Sequence, residues 1–255
     1  QIAATDRFAE ATDETVDAIL TEAGRMTTEV LAPLNRGSDL QGAKLENGAV
    51  RSSPGFDVGF RAIAEGGWIG LSADPEYGGA GLPQVLNMAV SEMMGGACLS
   101  LQLNPLLTQG QIEALEHHAS DEMKALYLPK LTSGEWSGTM NLTEPGAGSD
   151  VGALTSRAER ADDGTYRITG QKIFITWGDS DLSENVCHAV LARLPDGSPG
   201  TKGISLFMVP KYLPDENGRA GVANDLRVVS LEHKLGIHGS PTCVMSYEGA
   251  KGWLI

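Results

Sequence analysis

The sequence predicts an α+β chain, with an all-α half over residues 1–135 followed by a β-barrel or β-sandwich half over residues 136–255. Three observations carry this. Apolar residues recur at spacings of three and four through the first half. After residue 136 the apolar period drops to two. Turn-forming clusters then punctuate short segments, as in barrels and sandwiches.

The first helix is expected over residues 12–34. Val16, Ile19, Leu20, Ala23, Met26, Val30 and Leu31 share one face, Thr12 or Asp13 caps the start, and Pro33, Asn35 and Gly37 end it. A second runs from Phe56 to Ala64, burying Phe56, Phe60 and Ile63 and stopping at Gly66-Gly67. A third opens at Pro83 and runs to Ala97, and Pro105 opens a fourth through Leu115. Ser120 caps a fifth that runs out near Pro129. Strands are expected at 155–161, 165–176, 186–194, 204–209, 226–231 and 242–247. Asp162-Asp163-Gly164, Pro195-Asp196-Gly197 and Pro214-Asp215-Glu216-Asn217-Gly218 supply turns. No helix of three turns is expected between Thr155 and Tyr247.

A net charge of −14 without any Lys/Arg cluster argues against nucleic acid and against an anionic membrane surface, because both need a basic footprint. No apolar run reaches the length of a membrane span. Cys98, Cys187 and Cys243 are widely spaced and form no CxxC pair, which suits a reducing cytoplasm. The five histidines show no metal-ligand spacing, so no metal site is expected. The chain starts at Gln1 and ends on the apolar Gly252-Trp253-Leu254-Ile255, so it is expected to be a piece of a longer protein, its β half cut short at the end.

One segment stands out where the two halves meet: Met140-Asn141-Leu142-Thr143-Glu144-Pro145-Gly146-Ala147-Gly148-Ser149-Asp150. Two glycines one residue apart allow a tight turn and present consecutive N–H groups, a cradle that holds a pyrophosphate without lysine. Alone, Gly-Ala-Gly-Ser is more often an ordinary loop. The dinucleotide fingerprint fails, since its third glycine falls on Val151, and no Gly-Lys-Ser/Thr P-loop exists. Neither Gly70-Leu71-Ser72 nor Gly178-Asp179-Ser180 continues into a Gly-x-Ser-x-Gly elbow. A second segment, Gly170-Gln171-Lys172-Ile173-Phe174-Ile175-Thr176-Trp177-Gly178, reads alone as a strand with a core Phe and a surface Thr.

Taken together, Thr143–Asp150 followed by Lys172–Thr176 resembles the acyl-CoA dehydrogenase family. Lys234-Leu235-Gly236-Ile237-His238-Gly239-Ser240 resembles that family's later β-domain motif, and Asp74-Pro75-Glu76-Tyr77-Gly78-Gly79-Ala80-Gly81 its helical-domain loop. Order and spacing agree over residues 10–255. Residues 70–83, the insertion 179–185 and residues 231–242 are similar to the long subgroup that includes 3-methylmercaptopropionyl-CoA dehydrogenase.

The resemblance implies an N-terminal helical domain (1–135), a middle β domain (136–255) and, outside this chain, a C-terminal helical bundle. It implies FAD as cofactor and an acyl-CoA substrate oxidised between its α and β carbons, as in fatty acid metabolism. A base Glu from the absent bundle takes the α-proton while hydride passes to flavin N5. By position, Met140, Leu142 and Thr143 approach the isoalloxazine, Gly148 and Ser149 the pyrophosphate and ribityl region, and Ser149 also the acyl-CoA. Phe174, standing where many relatives have Trp, packs on the flavin face, with Ile175 and Thr176 at the flavin edge. No catalytic residue is assigned within this chain; Glu144 is read as structural and Glu184 is not promoted. An electron-transfer flavoprotein or similar acceptor and a homo-oligomer are implied as partners. Two other readings stay open: a non-catalytic flavin- or CoA-binding module, and an acyl-CoA oxidase of the same fold. The chain alone is expected to be inactive.

Overall fold

The computed structural model describes residues 4–255. Helix α1 (Asp13–Met26) is capped by the Thr12 hydroxyl, which accepts from the Thr15 N–H. It does not stop at Pro33. A π-turn over Thr27–Leu31 leads directly into α2 (Ala32–Gln41), which ends at Gly42 with φ 66°. The expected stop fails because the π-turn changes the hydrogen-bond register just before Pro33, and the helix runs through it.

A hairpin that the sequence reading did not anticipate follows, β1 (Lys44–Glu46) and β2 (Ala49–Arg51), turning at Asn47-Gly48 with both residues at positive φ. Helix α3 (Phe56–Glu65) buries Phe56, Phe60 and Ile63 as expected. The third and fourth expected helices are one element, α4 (Gln84–His118), bent at Cys98, whose φ −154° and ψ 83° are non-helical. Pro105 therefore lies inside a helix and leaves the Leu101 carbonyl without its usual donor. Helix α5 (Asp121–Ser133) is capped by Ser120 as expected, but continues past Pro129 to Gly134 at φ 78°.

The β half comprises β3 (Trp136–Asn141), β4 (Arg157–Arg160), β5 (Tyr166–Thr176), β6 (Asn185–Arg193), β7 (Ile204–Pro210), β8 (Tyr212–Pro214), β9 (Ala220–Ala223), β10 (Leu226–Leu231) and β11 (Thr242–Leu254). Strand β11 outruns its expected end at Tyr247, and β8–β9 form a small separate hairpin. Pairings β11–β5, β5–β4, β4–β6, β6–β7 and β7–β11 close a ring, a barrel in topology. Strand β3 joins β6 in parallel and β10 joins β11 antiparallel, both outside that ring. The only helix among the described residues of 155–247 is the single turn Thr201–Gly203. Among the described residues no helix is long and apolar enough to cross a membrane.

Two apolar cores result. One fills the helical half and reaches across the seam to Trp136, Trp177, Cys187 and Met208. The other fills the barrel with Ile168, Ile175, Val190, Phe207, Met245 and Tyr247, and takes Val50 from the early hairpin. That hairpin is fastened to the β half: Asp179 accepts the Val50 N–H at 3.1 Å and pairs with Lys211 at 2.6 Å, and Asp181 accepts the Ser52 N–H at 3.0 Å. Asp39 on α2 likewise accepts from the backbone and ring of His238.

Candidate functional site

The site grows from the end of β3. Glu144 and Ala147 exchange backbone hydrogen bonds of 2.8 and 3.0 Å, which closes the Glu144-Pro145-Gly146-Ala147 turn. The Glu144 side chain turns inward, where it is 4% exposed. Its carboxylate accepts from the Thr155 N–H (2.6 Å) and hydroxyl (2.9 Å), the Ser156 N–H (3.0 Å) and the Lys172 ammonium (2.8 Å). Lys172, fully buried, also donates to the Leu142 carbonyl at 3.0 Å. The Ile173 N–H donates to the Thr143 carbonyl at 2.9 Å. The two segments that stand out in sequence are thus bonded to each other. Burial alone would raise the Glu144 carboxyl, but the bonds from Lys172, Ser156 and Thr155 outweigh it and hold it down to about 2. Glu144 thus anchors the turn to β5 and to the Thr155-Ser156 backbone.

On the other side of these anchors lies an open face. Met140 is 36% exposed, Leu142 and Thr143 are half-buried, and Gly148 and Ser149 are exposed. Gly148 has an ordinary φ, and a Cβ placed on it would meet only the Thr143 methyl, at 3.7 Å. Nothing within the chain therefore requires glycine there; its absent side chain leaves the backbone open to close approach. Phe174 is 56% exposed and at φ 58°. The reason is a bulge: Lys172 pairs with Met245 and Ile175 with Cys243, so Ile173 and Phe174 share Val244. The bulge turns Phe174 outward and Ile175 inward. Ile175 is 2% exposed in the barrel core, whereas Thr176 is half-buried. The Thr176 carbonyl accepts from the Thr139 hydroxyl at 2.6 Å. The hydroxyls of Thr143, Ser149 and Thr176 make no hydrogen bond to any described residue.

A phenylalanine in the left-handed region is strained by Cβ crowding. Since Phe174 is largely exposed, its Gly variant is expected to be more stable than its Ala variant by about 1–2 kcal/mol. Urea unfolding of the two variants checks this, and an equal or lower midpoint for Phe174→Gly would count against strain at this position.

Three residues escaped sequence reasoning. Trp177, also at positive φ (53°), is buried at the seam, where its indole N–H donates to the Ser100 carbonyl of bent α4 at 3.1 Å. Lys172 gave a signal: it shares the parity of buried Ile168 on β5, so a lysine points into the barrel wall. Arg193 gave none. His238 is held by Asp39 and by the Lys234 carbonyl, and among the described residues no three His, Cys, Asp or Glu side chains cluster as metal ligands.

Two family profiles match this chain: the acyl-CoA dehydrogenase N-terminal domain over residues 13–135 and the acyl-CoA dehydrogenase middle domain over residues 139–250. The chain belongs to the acyl-CoA dehydrogenase family. It is 49% identical over 255 residues to the 3-methylmercaptopropionyl-CoA dehydrogenase of Ruegeria pomeroyi, covering all of this chain and 43% of that protein. Its fold is similar to that of butyryl-CoA dehydrogenase from Megasphaera elsdenii (TM-score 0.76, 24% identity, 94% of this chain and 57% of the other). It is also similar to an acyl-CoA dehydrogenase from Bacillus anthracis complexed with FAD (TM-score 0.73, 23% identity, 95% of this chain and 36% of the other). The family's helical N-terminal domain and β middle domain are both present. The chain spans less than half the length of the Ruegeria relative.

Proposed function

We propose that this acyl-CoA dehydrogenase family chain carries the FAD-holding face of an enzyme that dehydrogenates an acyl-CoA thioester between its α and β carbons. The domain limits 1–135 and 136–255 are part of that reading. The observation that carries it is the open face itself: exposed apolar Met140 and Phe174 beside three free hydroxyls and the bare backbone of Gly148. A flavin needs this combination, since its ring is flat and largely apolar with polar edges, and its pyrophosphate needs unobstructed N–H groups. FAD, when bound, supplies the hydride-accepting chemistry. Met140, Leu142, Thr143 and Phe174 are assigned to the ring, Gly148 and Ser149 to the pyrophosphate side, and Ser149 also to the acyl-CoA. Thr176 is assigned to the ring edge, where its hydroxyl is free to donate. Ile175 is assigned through its backbone alone. The Bacillus anthracis neighbour holds FAD on the same fold.

The base is proposed to come from the part of the relatives that this chain does not span, because the carboxylate of the turn segment is committed to Lys172. Electrons then leave to an electron-transfer flavoprotein or similar acceptor, and a homo-oligomer is proposed for the intact protein. A cytoplasmic setting is supported by three buried cysteines that remain free thiols.

Replacing Thr176 by Val in the intact, flavin-loaded protein is expected to shift the flavin spectrum and slow its reduction by substrate about tenfold or more, the loss of one well-placed hydrogen bond. Stopped-flow reduction with a straight-chain acyl-CoA measures this. Unchanged affinity, spectrum and reduction rate would remove Thr176 from the site.

A further inference from the structure

Beyond the residues that face the candidate ligand surface, one cation ties together the loops that flank it. Arg193 stands at the end of β6, half-buried. Its Nε donates to the Leu154 carbonyl at 2.9 Å and its Nη2 to the Gly152 carbonyl. Its Nη1 donates to the carbonyls of Ser198 (3.3 Å) and Gly200 (2.9 Å). Its backbone N–H donates to the Ser156 carbonyl at 2.9 Å. One side chain thus joins the segment just after Ser149 to the loop between β6 and β7.

Two features separate this from an ordinary surface arginine. First, no Asp or Glu among the described residues forms an ion pair with the guanidinium; every acceptor is a main-chain carbonyl. Asp150 lies with a carboxylate oxygen 3.3 Å from where a Gly152 Cβ would stand, and among the described residues it too forms no ion pair. Second, Arg193 is continuous with the anchor of the turn. It fixes Gly152, Leu154 and Ser156, while the Thr155 and Ser156 N–H groups hold Glu144, and Glu144 holds Lys172 and through it Leu142. Both ends of residues 142–156 are therefore set by a cation, Lys172 at one and Arg193 at the other. Four carbonyls in two directions need a planar fork, which a lysine does not supply.

We propose that Arg193 is a positioning residue for a phosphate-bearing ligand at the Gly146–Ser149 turn, coupling the 150–154 segment to the 198–200 loop so that both order together when the ligand binds. This rests on the flavin reading of that turn. The residue acts through the loops and touches no reacting atom.

The test uses the intact natural protein loaded with FAD, and compares Arg193→Lys, which keeps the charge, with Arg193→Gln, which removes it. Both variants are expected to weaken FAD binding about tenfold by flavin fluorescence titration, since both lose the fork. The KM for butyryl-CoA should rise while kcat changes less. A Lys variant indistinguishable from wild type beside a weakened Gln variant would overturn positioning in favour of charge alone. A lower melting temperature with unchanged FAD affinity and KM would reduce Arg193 to a brace of the fold and overturn the proposal. A measurement on the unmodified protein covers variants that fail to fold: amide hydrogen exchange with and without FAD. Protection should rise together over residues 150–154 and 198–200. A rise in one loop without the other overturns the coupling. Failure of the wild-type protein to bind FAD would instead sink the flavin reading itself.

Discussion

Replacing Lys172 by Met is expected to destabilise the chain by about 3–5 kcal/mol, because it strands the buried Glu144 carboxylate without its cation. Methionine keeps most of the volume, so the loss reports charge and not a cavity. The double change Lys172→Met with Glu144→Gln should recover part of it, since a neutral amide costs less to bury than an unpaired carboxylate. The two partners pull in opposite senses. Glu144 is held down to about 2 despite burial, whereas burial pulls Lys172 below the ordinary lysine range more strongly than Glu144 lifts it. The pair's net contribution is therefore smaller than the Glu144 shift alone implies. Its sign with pH is fixed: the Glu144 contribution is present above the ordinary carboxyl value of 4.5 and is lost as pH falls toward 2. Urea titrations of wild type and variants between those limits measure both effects. A single-variant loss below about 1 kcal/mol, the size of an exposed pair, would show that the anchor is dispensable.

Mixed with FAD, a panel of acyl-CoA thioesters and an artificial electron acceptor, the 255-residue chain is expected to show no sustained turnover. A carboxylate held near 2 and saturated with four donors is a poor acceptor for an α-proton. General base catalysis is typically worth about 10²–10⁴-fold, so its absence is not masked by the rest of the site. A flavin and thioester held on the proposed open face would also stay in contact with water, which weakens polar contacts by raising the local dielectric. Turnover above the no-protein control, abolished by Glu144→Gln, would place the base inside this chain and overturn the reading of Glu144 as an anchor.

The division into helical and β halves was legible because periodicity is a local property: Phe56, Phe60 and Ile63 on α3 declare their face without reference to anything distant. The turn segment and β5 read singly as an ordinary loop and a plain strand; only the resemblance carried by the two together marked them as a pair. What failed to show depended on contacts remote in sequence. Pro33 and Pro105 read as boundaries, yet the π-turn before one and the bend at Cys98 before the other let the helix run through. The β1–β2 hairpin did carry a local signal, Asn47-Gly48, but its stability rests on Asp179 and Asp181, 129 residues away. Read from its own strand alone Phe174 is a core aromatic, and the resemblance alone turned it toward a ligand. The bulge against Val244 that exposes it is a feature of two strands, not of one. Arg193 was invisible because main-chain carbonyls, its only partners, have no sequence identity.

The ring of strands closes through β11, which pairs with β5 along most of its length and reaches β7 only at Trp253 and Leu254. During synthesis the helical half emerges first and can assemble from near-neighbour contacts, whereas β3 must wait for β6 and the ring must wait for the last strand. Until then β5 offers a bare edge to the ribosome's surroundings, and that interval is when a nascent chain of this kind is most exposed to chaperones and to mispairing.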